Sequence, residues 1–260
     1  MGGTRASGSN SIRGTGDGRG GLGNTLSGIV VAIGFVLFVG GFGWGALLYQ
    51  PYTVPTDSMV PTVRPGDRVL AQRIDGAEVH RGDVVVFKDS VWSASPMVKR
   101  VVAVGGDTVA CCGQGGRLTV NGKELDEPYL APEETVAGAP PVGASQRRFE
   151  VKVPEGNLFL MGDRRGGSLD SRAHLEEAGQ GTVPRSAVEA RVDAVAWPSM
   201  SMLERPAPYA ALPGGVSSPG PLRLQVAAVV AGAALVLLGA AYGPLVRVLG
   251  LGRRERAGAR

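Results

Sequence analysis

Two apolar runs bracket the chain. Residues 29–49 and 226–246 each pass 21 positions without a charged side chain. At 1.5 Å per helical residue, either is long enough to cross a hydrocarbon layer of roughly 30 Å. Between them the pattern breaks into short segments rich in Val, Leu, Ile and Phe, bounded by Gly, Asp and Pro: 68–72, 83–87, 98–104, 108–110, 117–120, 149–153, 158–161 and 187–196. Short apolar runs punctuated by turn residues predict a mainly β domain. Asn121-Gly122, set between Leu118-Thr119-Val120 and Lys123-Glu124-Leu125, predicts a tight two-residue hairpin. The fold expected is therefore mainly β, an ectodomain of coiled antiparallel sheet flanked by N- and C-terminal transmembrane helices.

Composition refines the boundaries. Residues 1–27 are rich in Gly, Ser and Arg and are expected to form a disordered cytoplasmic tail. A transmembrane helix follows at 28–49, then a β-rich extracytoplasmic domain at 50–205 with a Pro/Ala/Gly-rich surface excursion at 131–148. A Pro/Gly linker at 206–222 leads to a second transmembrane helix at 223–246 and a basic cytoplasmic tail at 247–260. The first apolar run exceeds the usual core of a cleaved leader, and Leu48-Tyr49-Gln50-Pro51 offers no small-x-small cut site, so it reads as an uncleaved anchor.

The formal charge of +4 raises the question of nucleic acid, but its distribution answers otherwise. Residues 1–28 carry +2 and residues 243–260 carry +4, while residues 50–221 carry −3. A mildly acidic body gives nucleic-acid binding no support. Basic flanks mark the cytoplasmic side of a membrane segment, so both tips are expected inside and the region between the helices outside. The only cysteines, Cys111 and Cys112, are adjacent. That spacing lacks the two-residue gap of a zinc knuckle, and a bond between neighbours is geometrically demanding. No metal or other cofactor is expected.

One serine and one lysine stand out. Ser58 lies in Val54-Pro55-Thr56-Asp57-Ser58-Met59-Val60-Pro61-Thr62, where the prolines preclude helix and stiffen the backbone. Lys99 lies 41 residues later in an apolar run, in a chain where only 4 of 27 basic residues are lysine. Arginine is effectively never deprotonated, so a position requiring a neutral amine demands lysine. A free lysine with a pKa of about 10.4 is neutral at pH 7 only about 0.04% of the time, and correcting that requires about 4.6 kcal/mol of differential interaction. Burial against Met97, Val98 and Val101 is the available source. Histidine chemistry would have to use His80, in a charged turn, or His174, which follows Asp170-Ser171-Arg172 and is the better candidate for a Ser-His-Asp arrangement.

Four ordered segments resemble the bacterial type I signal peptidase family. They are 55–63 followed by Gly66-Asp67, then Arg81-Gly82-Asp83-Val84-Val85-Val86-Phe87, then 98–107, and last Met161-Gly162-Asp163-Arg164-Arg165-Gly166-Gly167-Ser168-Leu169-Asp170-Ser171-Arg172. The resemblance runs from residue 54 to about 198. It implies a serine endopeptidase with Ser58 as nucleophile and Lys99 as general base. Thr56 and the Ser58 backbone N–H would form the oxyanion hole, Ser168 would orient the lysine amine, and Asp170 with Arg172 would form a supporting ion pair. The implied substrates are secreted preproteins, cut after a small-x-small sequence and bound beside membrane phospholipid, with Val54, Pro55, Met59, Val63, Met97 and Val98 as candidate pocket residues. In the closing segment the family reads Gly-Asp-Asn-Arg-Asp-Asn-Ser, and here Arg164, Gly166 and Gly167 replace the Asn, Asp and Asn. Asp57 stands where the family has glycine, a change the sequence does not explain, and the second helix departs from the common arrangement on that side. A self-cleaving repressor shares the serine and lysine elements, but this chain has no DNA-binding domain. The altered closing segment leaves a further alternative, a catalytically inactive membrane-tethered binding protein with the same fold.

Overall fold

The computed structural model describes residues 18–113, 116–130 and 148–258. The expected excursion at 131–148, except its last residue, and the first 17 residues of the expected tail lie outside them. The chain divides into two compact units, one of helical residues up to Gly43 and from Leu224 onward, the other comprising Trp44–Arg223.

In the helical unit, α1 (Gly18–Leu48) and α3 (Leu222–Gly258) are the long helices; a single turn, α2 (Ala207–Ala210), falls between them in sequence. Both exceed the expected spans. Once an apolar run has nucleated a helix, each further residue adds a hydrogen bond, so α1 begins ten residues before position 28 and α3 continues through Pro244 into the basic tail. Thr25–Leu48 and Leu222–Pro244 are long and apolar enough to cross a membrane. The two helices touch backbone to backbone. A Cβ on Gly34 would lie 2.8 Å from the Gly232 carbonyl oxygen, and one on Gly232 would lie 2.6 Å from that of Gly34. Only glycine permits this approach, the usual device for packing helices where no hydrophobic effect drives them together. Ser27 Oγ adds a bond to Gly239 O at 2.7 Å, while Phe35, Phe42, Leu237 and Leu238 face outward.

The second unit is built on antiparallel strands: β1 (Tyr49–Thr53), β2 (Arg68–Arg73), β3 (Val84–Phe87), β4 (Met97–Val104), β5 (Thr108–Cys111), β6 (Leu118–Val120), β7 (Lys123–Glu124), β8 (Phe149–Lys152), β9 (Asn157–Met161), β10 (Thr182–Pro184), β11 (Val188–Trp197) and β12 (Ser201–Met202). The larger sheet runs β1-β2-β11-β3-β4-β9-β10, with β12 added to β11; the smaller runs β7-β6-β5-β8. The expected strands match these within a residue or two. Three were missed in sequence: β10 and β12 are too short to show a period, and β1 contains Pro51, tolerated because β1 is an edge strand. Asn121 and Gly122 adopt positive φ of 53° and 75° at the β6–β7 turn, as the hairpin requires.

The larger sheet is covered on both faces. Within β3, Val84 and Val86 join Val54, Met59, Val63 and Val69, whereas Val85 and Phe87 join Val101, Leu158 and Leu160. A third cluster, around Leu118, Phe159 and Met161, lies against the smaller sheet, and it corrects the linker expectation: Tyr209 and Leu212, from the Pro/Gly-rich stretch, are buried in it. Pro206 caps α2, which carries Tyr209, and Leu212 N donates to Tyr209 O at 3.1 Å in the turn that follows. Arg205 anchors the start of the stretch, bonding Asp193 Oδ1 at 2.6 Å and Ser217 Oγ at 2.9 Å, and Ser217 in turn donates to Asp83. Residues 205–217 are thus a strap belonging to the fold. Tyr209→Ala is expected to cost about 3–5 kcal/mol, the range for truncating a large buried ring, read as a lowered midpoint of denaturant unfolding in detergent.

Candidate active site

The segment after β1 is pinned before it reaches Ser58. Val54 N donates to Asp67 O at 2.9 Å and Gly66 N to Val54 O at 2.8 Å, closing a loop whose Met59 and Val63 side chains are driven wholly into the core. Those two residues therefore do not line a pocket, contrary to expectation: proximity in sequence to Ser58 does not fix side-chain direction. Thr56 remains exposed, its Oγ1 3.3 Å from Ser58 Oγ.

Lys99 arrives from β4. Strand β9 leaves the sheet at Met161, opposite Arg100, so Met97–Lys99 of β4 pair with β3 alone, and the loop 162–168 follows β9. This loop is pressed onto the serine. Arg164 N donates to Ser58 O at 3.0 Å, and a Cβ on Gly162 would strike both Ser58 O and the Ser168 side chain. The result is that Lys99 Nζ donates to Ser58 Oγ at 2.7 Å, with the two residues 4% and 7% exposed. Burial lowers the Lys99 pKa from its ordinary value; Asp170 and Asp163 pull it back up, and Arg172 pushes it down. Desolvation wins because Lys99 makes no ion pair among the described residues.

The adjacent arginine has the opposite fate. Arg100 Nε and Nη2 grip the two Asp163 oxygens at 2.8 and 2.6 Å, Nη1 donates to Gly82 O at 2.8 Å, and the guanidinium lies 4.2 Å from the Tyr129 ring centroid. Thr62 Oγ1 donates to Asp163 at 2.5 Å. One carboxylate thereby joins the base-bearing strand, the closing loop and the serine segment. A second buried pair, Arg165 with both Glu127 oxygens at 2.6 Å, holds the same loop through an Arg165 bond to Gly162 O. Burial raises the Glu127 pKa, but the Arg165 charge outweighs it and the carboxyl stays below its usual range. Neither Glu127 nor Arg165 was singled out in the sequence; a glutamate 38 positions from its arginine leaves no local signature.

Asp170 and Arg172 form the expected pair at 2.7 Å, and Asp170 also accepts from Gly162 N at 2.9 Å. Burial raises the Asp170 pKa, but the Arg172 bond and charge, with the Gly162 N–H, outweigh it, for a net depression. Ser168 departs from expectation. Its buried hydroxyl has no hydrogen-bond partner among the described residues, the lysine amine included; its approach to Asp170 favours the charged carboxylate without the geometry of a bond. Asp57, unexplained in sequence, forms an ion pair with Arg164, both side chains about half exposed.

Ser58 and Lys99 open onto a cleft of about 730 Å³ whose walls include Val54, Pro55, Met97, Val98 and Trp92. His174 is also a wall residue, but its Nδ1 meets Glu177 Oε1 at 2.7 Å and its ring stacks on Trp92 at 4.4 Å, rather than addressing the serine. His80 Nδ1 lies 2.9 Å from Glu78 O. Cys111 and Cys112 are joined as a disulfide on the smaller sheet. Chemically, the arrangement presents a hydroxyl beside an amine held toward neutrality, at the end of an apolar groove.

Comparison with known proteins gives one consistent result. A family model described as "Signal peptidase, peptidase S26" matches residues 23–197. A probable signal peptidase I of Mycobacterium leprae is 34% identical over 201 residues, covering 57% of this chain and 68% of that protein. A signal peptidase I of Mycobacterium tuberculosis is 32% identical over 192 residues, covering 57% of this chain and 65% of that protein, just under two thirds of its length. A signal peptidase I of Bacillus amyloliquefaciens is 35% identical over 149 residues, covering 56% and 73%.

Two measurements test this geometry. Asp163→Asn is expected to cost about 3–5 kcal/mol of unfolding free energy, since it leaves a buried guanidinium uncompensated. In NMR titration of ¹³C-lysine protein, the Lys99 signal should titrate below the ordinary lysine range. Arg172→Gln should move it upward, because removing a cation and exposing the Asp170 charge both favour the ammonium.

Proposed function

The chain belongs to the signal peptidase family, peptidase S26, and from that premise we propose that it is a membrane-held serine endopeptidase that removes signal peptides from secreted preproteins. The observation that carries the reading is the 2.7 Å approach of Lys99 Nζ to Ser58 Oγ in a buried setting that lowers the lysine pKa. With the amine neutral, its lone pair takes the Ser58 proton as Oγ attacks the scissile carbonyl. Negative charge then develops on the carbonyl oxygen, where the Ser58 N–H and the Thr56 hydroxyl are suited to receive it. The lysine ammonium returns the proton to the departing amine, and water repeats the sequence to release the acyl group from Ser58.

The cleft supports the substrate class. Val54, Pro55, Met97 and Val98 make a shallow apolar wall, fitting small side chains before the cut, as in a small-x-small sequence. In this reading the two apolar helices hold the enzyme in the bilayer, with phospholipid around them and the basic tips on the cytoplasmic side. The β unit works on the other side. Sharing a membrane with the apolar segment of the substrate raises their effective concentration.

The test uses the intact protein in detergent with phospholipid and a preprotein carrying Ala at −1 and −3. Cutting after the −1 residue is expected, and Ser58→Ala and Lys99→Ala should each lower the rate by about a thousandfold, within the range for general-base catalysis, without loss of folding. A Lys99→Ala variant that keeps its rate would sink the dyad. A folded intact chain that binds the preprotein but never cuts it would select the tethered-binding alternative.

A further inference from the structure

Two charged residues meet beside the nucleophile. Asp57 immediately precedes Ser58, Arg164 lies in the closing loop, and their side chains form an ion pair. Arg164 is bound twice to the serine turn: by that pair, and through its backbone N–H to Ser58 O at 3.0 Å. Its side chain lies along Gly167, where an added Cβ would come within 3.1 Å of Arg164 Cδ and Nε. The absence of a side chain at 167 leaves room for the arginine to reach Asp57.

The location suggests what the pair faces. The apolar wall of the cleft, from Val54 to Met97 and Val98, fits the residues before the scissile bond, and Asp57 is a wall residue next to Ser58 in the chain. Of the other ionisable wall residues besides Lys99, His174 and Glu177 are engaged with each other and Tyr52 with Glu189. A peptide whose acyl part fills the apolar wall must carry its next residues past Ser58 and over Asp57 and Arg164. Both of these are half exposed and free to meet a substrate charge. We infer that the Asp57–Arg164 pair is a specificity element for the residue immediately after the cut, each charge cancelling the other so that preproteins with acidic or basic residues there are accepted alike.

This inference rests on the peptidase reading above. An exposed charge pair couples weakly, on the order of threefold per contact, so unmasking one charge should separate opposite substrate charges by about tenfold. Substrates with Ala, Glu or Lys at +1 are compared by kcat/KM in the intact chain, Asp57→Gly, Arg164→Asn and the double variant. The intact chain should rank Glu and Lys within about threefold of each other. Asp57→Gly, leaving a lone cation, should favour Glu; Arg164→Asn, leaving a lone carboxylate, should favour Lys by a similar factor. The double variant should be nearly charge-blind again, and both preferences should fade in 1 M salt, where the screening length is about 3 Å. Thermal unfolding of all variants should match that of the intact chain, and the swap Asp57→Arg/Arg164→Asp should stay charge-blind if either single change proves too inactive to rank. Single variants that rank the three substrates as the intact chain does, or a double variant that retains a preference, would overturn the inference. If the intact chain still cuts the Ala substrate in a Ser58-dependent way, only the pair's role falls; if it cuts none of them, the peptidase reading falls and takes this inference with it.

Discussion

The grip of Arg100 on Asp163 is the constraint to which the rest of the site is referenced. Both groups are almost wholly buried. Removing two such charges from water costs several kcal/mol each unless every donor and lone pair is met. Here they are met by groups from three different segments: Gly82 O before β3, Thr62 from the serine loop, and the face of Tyr129. Because the cost of leaving any one unpaired is high, the three segments are held in one relation to each other. Lys99, the immediate neighbour of Arg100, inherits that precision without sharing the compensation. Adjacent cations on one strand thus behave oppositely, one neutralised by its partner, the other pushed toward losing its proton.

The second buried pair extends this frame outward. Arg165 and Glu127 tie the closing loop to the segment after β7, and Tyr129 and Tyr209 meet hydroxyl to hydroxyl at 2.8 Å beside them. Through Tyr209 the network reaches the strap that follows β12. Positions far apart in sequence therefore support the loop beside Ser58.

What could be read from the sequence was what is local. Ser58 and Lys99 were legible through the ordered set of motifs around them, since a proline-bound serine and one lysine in an apolar run are weak signals alone, and the strands because their runs end in turn residues. Asp170 and Arg172, two apart, were legible for the same reason. The buried Arg165–Glu127 pair and the Asp57–Arg164 contact depend on how β9 leaves the sheet at Met161, which no periodicity encodes. Met59 and Val63 were misread as pocket residues because a non-helical, proline-bound segment has no repeat from which to assign an inside and an outside. The 205–217 stretch was misread because prolines and glycines mark both linkers and tightly docked straps, and only the burial of Tyr209 and Leu212 separates the two.

That strap puts the boundary of the family and the boundary of the folding unit in different places. The family match ends at residue 197, yet Ser217 still donates to Asp83, at the foot of β3, and Arg81 still donates to Pro213 O at 2.6 Å. A soluble fragment cut where the resemblance stops would take Tyr209 out of the core and leave Asp83 and Asp193 without Arg205. The compact unit Trp44–Arg223 therefore includes a stretch beyond the family match.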